Sequence, residues 1–126
     1  MLKDDRKLLG EMFDSPELIE GGCTALAMLL VGNEVFIANA GDCQAIYFNK
    51  KSHKIEALSK EHKPEKSEEK KWIEKAGGTV DNGRINENLN VARALGDFEF
   101  KSNKDFSQKE QMVIAEPDVQ VKKLTG

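Results

Sequence analysis

A change of hydrophobic period near the middle of the chain constrains its fold more than any other feature. Residues 23–30, CTALAMLL, form a continuous apolar run of the length expected for a strand buried on both faces, and Gly32-Asn33 closes it in a turn. The returning segment EVFIANA sets Val35, Ile37 and Asn39 on one face and Phe36 and Ala38 on the other, and Gly41-Asp42 ends it. CQAIYF comes immediately after. KIEAL then alternates Ile55 and Ala57 against polar neighbours before Leu58. Four successive short strands predict an antiparallel meander.

From Pro64 the spacing becomes helical. PEKSEEKKWIEKAGG starts with proline, is rich in helix formers, places Trp72, Ile73 and Ala76 on one stripe and stops at Gly77-Gly78. Acidic and basic residues alternate over residues 65–75, which predicts a helix lying on a sheet with its charged side wet. Asn82-Gly83 signals another turn, residues 84–101 have no clear period, and residues 112–115 and 119–121 read as strands on either side of Pro117. Residues 101–111, KSNKDFSQKEQ, are biased enough to predict a flexible loop, and residues 8–20 fit short helical turns capped by Ser15 with Pro16 first inside. Strands, then a helix, then strands define an α+β class.

The length of 126 residues suits one domain or one incomplete domain, and a 39% apolar fraction supports a single modest core. Charged residues make up 33% of the chain but leave a net charge of only −3, so no field of one sign builds up and nucleic acid is not an expected partner. The longest apolar run, residues 25–31, is far below membrane-spanning length, and the first residues carry scattered charges without an apolar leader; a soluble chain that engages no membrane is expected. Cys23 and Cys43 make no CxxC pair and have no histidine at zinc spacing. They are expected to be buried, reduced and chemically inert, with a cross-strand disulfide left open, in a reducing compartment, cytoplasmic or nuclear.

Few residues suggest chemistry on their own. Asp42 and Asp97 each stand after a glycine at a strand end, where a carboxylate can reach a hard cation, although an Asp-Gly neighbourhood is also ordinary turn chemistry. His62 in EHKP suits capping or packing better than proton transfer, because no partner lies near it in sequence. Arg84 and Arg93 can fork onto a phosphate, while Arg93 stands four residues from Asp97, the spacing of a local ion pair. No glycine-rich phosphate loop, nucleophile elbow, zinc HExxH or kinase signature occurs.

Five ordered segments go further: GGCTALAMLL, ANAGDCQAIYF, EHKPEKSEEKKWIEKAGG, GRINENLNVARALGDFEFK and EQMVIAEPDVQV. Together they resemble the central part of the protein phosphatase 2C family of metal-dependent serine/threonine protein phosphatases. The resemblance implies part of an antiparallel β-sandwich flanked by helices, and a reaction in which a pair of Mn2+ or Mg2+ ions activates water to attack phosphoserine or phosphothreonine of a protein substrate. By position it assigns Asp42 to an additional, weakly bound metal beside the main pair, and it gives Arg93 and Asp97 bracing roles. Residues 1–126 then form a partial catalytic domain without the family's early Glu-Asp and Asp-Gly-His-Gly motifs, its phosphate-binding arginine, or its late Asp-Gly and Asp-Asn motifs, and the chain alone is expected to be inactive. Cys43-Gln44 stands where the family usually has Ser-Arg, Glu61 where it has Asp, and Ala92 where it has Ser. A non-catalytic phosphatase-like binding or regulatory module stays open as the alternative, as does a homo-oligomer built through exposed sheet edges.

Overall fold

The structure, a computed structural model, describes residues 21–125; the helical turns expected at residues 8–20 lie outside the described residues. The elements, in chain order, are β1 (Gly22–Cys23), β2 (Ala25–Val31), β3 (Glu34–Ala40), β4 (Ile46–Asn49), β5 (Lys54–Ala57), α1 (Ser67–Lys75), β6 (Val80–Asp81), β7 (Arg84–Ile85), β8 (Leu95–Gly96), a short 3-10 turn (Phe98–Lys101) and β9 (Asp118–Lys123).

β2 and β3 form the expected hairpin around Gly32-Asn33, but the four-strand meander does not form. β3 takes β9 as its second neighbour, giving the order β2-β3-β9, while among the described residues β4 and β5 pair only with each other. Gly41 and Asp42 turn the chain out of the sheet, and the alternation in β3 divides the sheet into two faces. Val35 and Ile37 point to a buried face, where they pack with Leu58, Leu26, Ala45, Tyr47 and Leu124. The opposite face carries the cross-strand rows Leu29, Phe36, Val121 and Ala27, Ala38, Val119.

That second face is largely open. Leu29 is 61% exposed, Val119 63% and Val121 56%, and Met28, which pairs with Ile37 on the other face, is itself 67% exposed, so β2 exists as predicted but is largely uncovered on both faces. Ile46, Phe48 and Ile55 of the β4-β5 hairpin are also exposed.

The larger core lies under the helix. Ile73, Ile85, Val91, Ala92, Ala94, Phe100 and Val113 are buried together, and each large aliphatic side chain among them contributes about 1.5–3 kcal/mol by leaving water. α1 begins at Ser67, three residues after Pro64, and its buried stripe is Glu69, Ile73 and Ala76. Trp72, expected in that stripe, stays 45% exposed, with the Lys75 ammonium over its ring. The helix closes at Gly77-Gly78 as predicted: Gly78 N–H donates to the Ile73 carbonyl at 2.9 Å and Gly77 N–H to that of Glu74 at 3.0 Å.

Asn82-Gly83 turns β6 into β7 with positive φ at both residues. Residues 112–115 do not form a strand; Ile114 makes only an isolated bridge to Arg93. The loop expected to be flexible is closed from inside by buried Gln111, whose Nε2 donates to the carbonyls of Asn103 and Phe106 at 2.7 and 3.0 Å.

Truncating Ile73 to alanine should therefore cost about 3 kcal/mol of unfolding free energy, and truncating Trp72 less than about 1 kcal/mol, in denaturant titrations of the two variants.

Candidate functional site

The site is best built outward from Gly41, where β3 leaves its sheet. Its φ is +121°, and a Cβ there would lie 2.3 Å from Thr24 Cγ2 and 3.0 Å from the Arg93 carbonyl, so only glycine fits. The Gly41 N–H donates to His62 Nδ1 at 3.1 Å, and its carbonyl accepts from the His62 N–H at 2.9 Å and from Asn39 Nδ2 at 3.1 Å. Asn39 Nδ2 also reaches the carbonyls of Lys60 at 2.8 Å and Cys43 at 3.2 Å, so one buried amide gathers both chain segments.

Asp42 comes next, and its Oδ2 lies 2.5 Å from Lys63 Nζ. The Lys63 ammonium is held above its ordinary pKa, mainly by its hydrogen bond to Asp42, with burial opposing.

Behind this turn lies a network of charged side chains. His62 is fully buried, and its Nε2 lies 2.9 Å from Asp118 Oδ2. Arg93 Nη1 donates to Asp118 Oδ1 and to the Glu116 carbonyl, both at 3.1 Å, while Nη2 and Nε fork onto Glu69 Oε1 and Oε2 at 2.6 and 3.1 Å. Burial alone would lower the Arg93 pKa; Glu69 and Asp118 outweigh it and hold the guanidinium above its ordinary value. Burial would likewise raise the Asp118 carboxyl, but the His62 hydrogen bond and the Arg93 charge bring it below the ordinary range.

Several expectations change here. Arg93 forms its ion pairs across the fold to Glu69 and Asp118, not locally to Asp97. Asp97 adopts φ +50° and donates its N–H to the Gly21 carbonyl at 2.9 Å, and burial raises its pKa while Lys101 opposes. Arg84 is spent on the Asn88 carbonyl at 2.5 Å. Cys23 is exposed, Cys43 half-buried, and both are free thiols; the Cys43 sulfur lies 3.2 Å from Thr24 Oγ1. Sequence reasoning misses Glu69 altogether. Its signal is present, because residues 69, 73 and 76 fall on one helical face and a carboxylate within an apolar stripe calls for a buried partner.

Among the described residues no group of three or more His, Cys, Asp or Glu is placed to hold a metal ion. Asp42 has the chemistry of one ligand, a hard oxygen donor facing a cation, here the Lys63 ammonium, and its side chain is 28% exposed. The residues described do not fit the main metal pair.

Comparison with known proteins decides the family. The family model described as protein phosphatase 2C matches residues 2–126. The chain belongs to the protein phosphatase 2C family. The protein of Hypocrea jecorina called protein phosphatase 2C homolog 2 is 44% identical over 124 residues, covering 98% of this chain and 27% of its own length. Protein phosphatase 2C 1 of Paramecium tetraurelia is 46% identical over 105 residues, covering 82% of this chain and 34% of its own. A crystal structure of a phosphatase from Toxoplasma gondii superposes with a TM-score of 0.66 at 40% identity, over 70% of this chain and 27% of that one. The chain thus spans about a third of these relatives' length or less, within an α+β fold of the protein phosphatase 2C kind.

The network can be tested in two ways. Arg93→Ala leaves the Glu69 carboxylate, 5% exposed, without its cation, and should cost about 3–5 kcal/mol; Arg93→Ala combined with Glu69→Ala should cost clearly less than the sum of the two single changes in a double-mutant cycle. A depressed Asp118 carboxyl contributes stability that is present above the ordinary aspartate pKa of about 4 and is lost as pH falls through the folded value. Thermal unfolding between about pH 6 and 2 should show this acid limb, and Asp118→Asn should flatten it.

Proposed function

We propose that the chain is the central part, residues 1–126, of the catalytic domain of a metal-dependent serine/threonine protein phosphatase. The parent protein hydrolyses phosphoserine and phosphothreonine of protein substrates through water activated by Mn2+ or Mg2+. The observation that carries this reading is 44% identity over 124 residues, together with the folded match to a Toxoplasma phosphatase, when that segment makes up only 27% of the fungal relative. Segments outside this region of the parent provide the main metal pair, and Asp42 contributes one ligand to an additional ion.

The open sheet face supports that division. The rows Leu29, Phe36, Val121 and Ala27, Ala38, Val119 form an apolar layer of the kind a second sandwich layer covers, and the relatives carry most of their length outside the matched region. Two copies meeting through this face and the outer edges that β2 and β9 present among the described residues are a second way to cover it. No helix among the described residues is long and apolar enough to cross a membrane, and two free thiols suit a reducing compartment, cytoplasmic or nuclear.

A segment exchange tests the function. In the Hypocrea jecorina relative, the matching region is replaced by this chain, and Mn2+-dependent hydrolysis of a phosphoserine peptide is measured. The chimera should work within about tenfold of the parent, Asp42→Ala should raise the Mn2+ concentration it needs, and the 126-residue chain alone should show no turnover. A folded but inactive chimera would favour a non-catalytic binding or regulatory module.

A further inference from the structure

We infer that His62 is a positioning residue that aims Asp42. This rests on the reading of Asp42 as a functional ligand and adds the means by which its carboxylate is held. Gly41, the residue before Asp42, has the widest backbone freedom of any residue type, so the carboxylate after it needs an external clamp to keep one direction. His62 supplies that clamp on both sides of the glycine Cα. Its Nδ1 accepts from Gly41 N–H at 3.1 Å, and its own N–H donates to the Gly41 carbonyl at 2.9 Å. The next residue, Lys63, holds Asp42 Oδ2 at 2.5 Å. Residues 62 and 63 therefore act in register on residues 41 and 42, the first fixing the backbone and the second engaging the carboxylate.

The imidazole is itself held in one orientation and one tautomer. The Gly41 amide can only donate, so Nδ1 presents its lone pair and the ring proton sits on Nε2, from which it is donated to Asp118 Oδ2 at 2.9 Å. Asp118 is pinned in turn by Arg93. A ring flip would break both bonds inside a fully buried site. A histidine that only filled space would not need both nitrogens and its backbone N–H committed to a single glycine and the carboxylate behind it.

The test separates the two arms of the ring in the full 126-residue chain. In His62→Asn the side-chain oxygen replaces Nδ1 and retains an acceptor for Gly41; in His62→Gln the amide replaces Nε2 and retains the donor to Asp118. Ring nitrogen shifts of the unaltered protein should show the Nε2–H tautomer. His62→Gln should speed exchange of the Gly41 amide by about tenfold or more and displace the Asp42 carboxyl resonance, while His62→Asn leaves both near their original values and both variants keep the Ile85 and Val113 amides protected. An Nδ1–H tautomer, an Asp42 resonance indifferent to both changes, or equal loss of protection at Ile85 and Val113 in both would overturn the inference. Mn2+-induced broadening at Asp42 in the unaltered chain and in the chimera tests the ligand reading separately. Its absence in both would remove the metal role, while the exchange data would still decide whether His62 fixes Asp42.

Discussion

The Arg93 guanidinium is the interaction on which the arrangement depends. It holds Glu69 of α1 with one edge and Asp118 and Glu116 at the start of β9 with the other. These elements are far apart in sequence and share no ladder, so apolar packing alone leaves their relative position loosely set. A planar fork accepts only one geometry at each edge. Removing these charges from water is costly, and apolar groups filling the same space are often no less stable. What the network fixes is geometry: the helix meets the start of β9 through one fork, and His62 finds Asp118 where its ring proton needs it.

This frame explains why the two cores behave differently. The core under α1 is closed, with Ile73, Ile85 and Val113 at or near zero exposure, because helix, β6-β7 hairpin and the 112–115 segment surround it. The three-stranded sheet is closed only over Val35 and Ile37 of β3, while Met28 and Leu30 of β2 on the same face stay exposed. The sequence pattern CTALAMLL describes a strand buried on both faces, and the chain alone exposes most of it. Side-chain hydrophobicity records the environment of a complete fold, and an apolar strand left open is the pattern of a layer that another layer covers.

Local features are legible in the sequence and long-range ones are not. The Gly32-Asn33 and Asn82-Gly83 turns, the helix ending at Gly77-Gly78 and the alternation of β3 each depend on residues within a few positions, where backbone geometry restricts the choice. The partner of β3 is not legible, because β9 arrives from the far end of the chain and nothing in EVFIANA distinguishes it from β4 as a neighbour. Trp72 and Glu69 exchange roles for a related reason. Hydrophobicity puts the tryptophan inside, but the buried guanidinium requires a carboxylate on that face, and the ring remains at the rim with Lys75. Asp42 is marked by its glycine and by family resemblance, while the clamp behind it lies in EHKP, where sequence distance conceals the contact.

The departures from the family pattern fall where this frame can absorb them. Ala92 replaces a serine, but its contribution is the backbone N–H that donates to the His62 carbonyl at 3.0 Å, which any residue except proline supplies. Cys43 replaces another serine and keeps a polar contact, its sulfur 3.2 Å from Thr24 Oγ1 beside the glycine that admits no side chain. Gln44 is exposed and Glu61 only half-buried, so neither disturbs the packing behind His62. The positions whose side chains carry the frame, Asn39, His62, Glu69, Arg93 and Asp118, are a different set. Removing one partner of a buried pair among them leaves a buried charge unpaired at a cost of several kcal/mol, whereas the backbone bond made by Ala92 survives the loss of a hydroxyl.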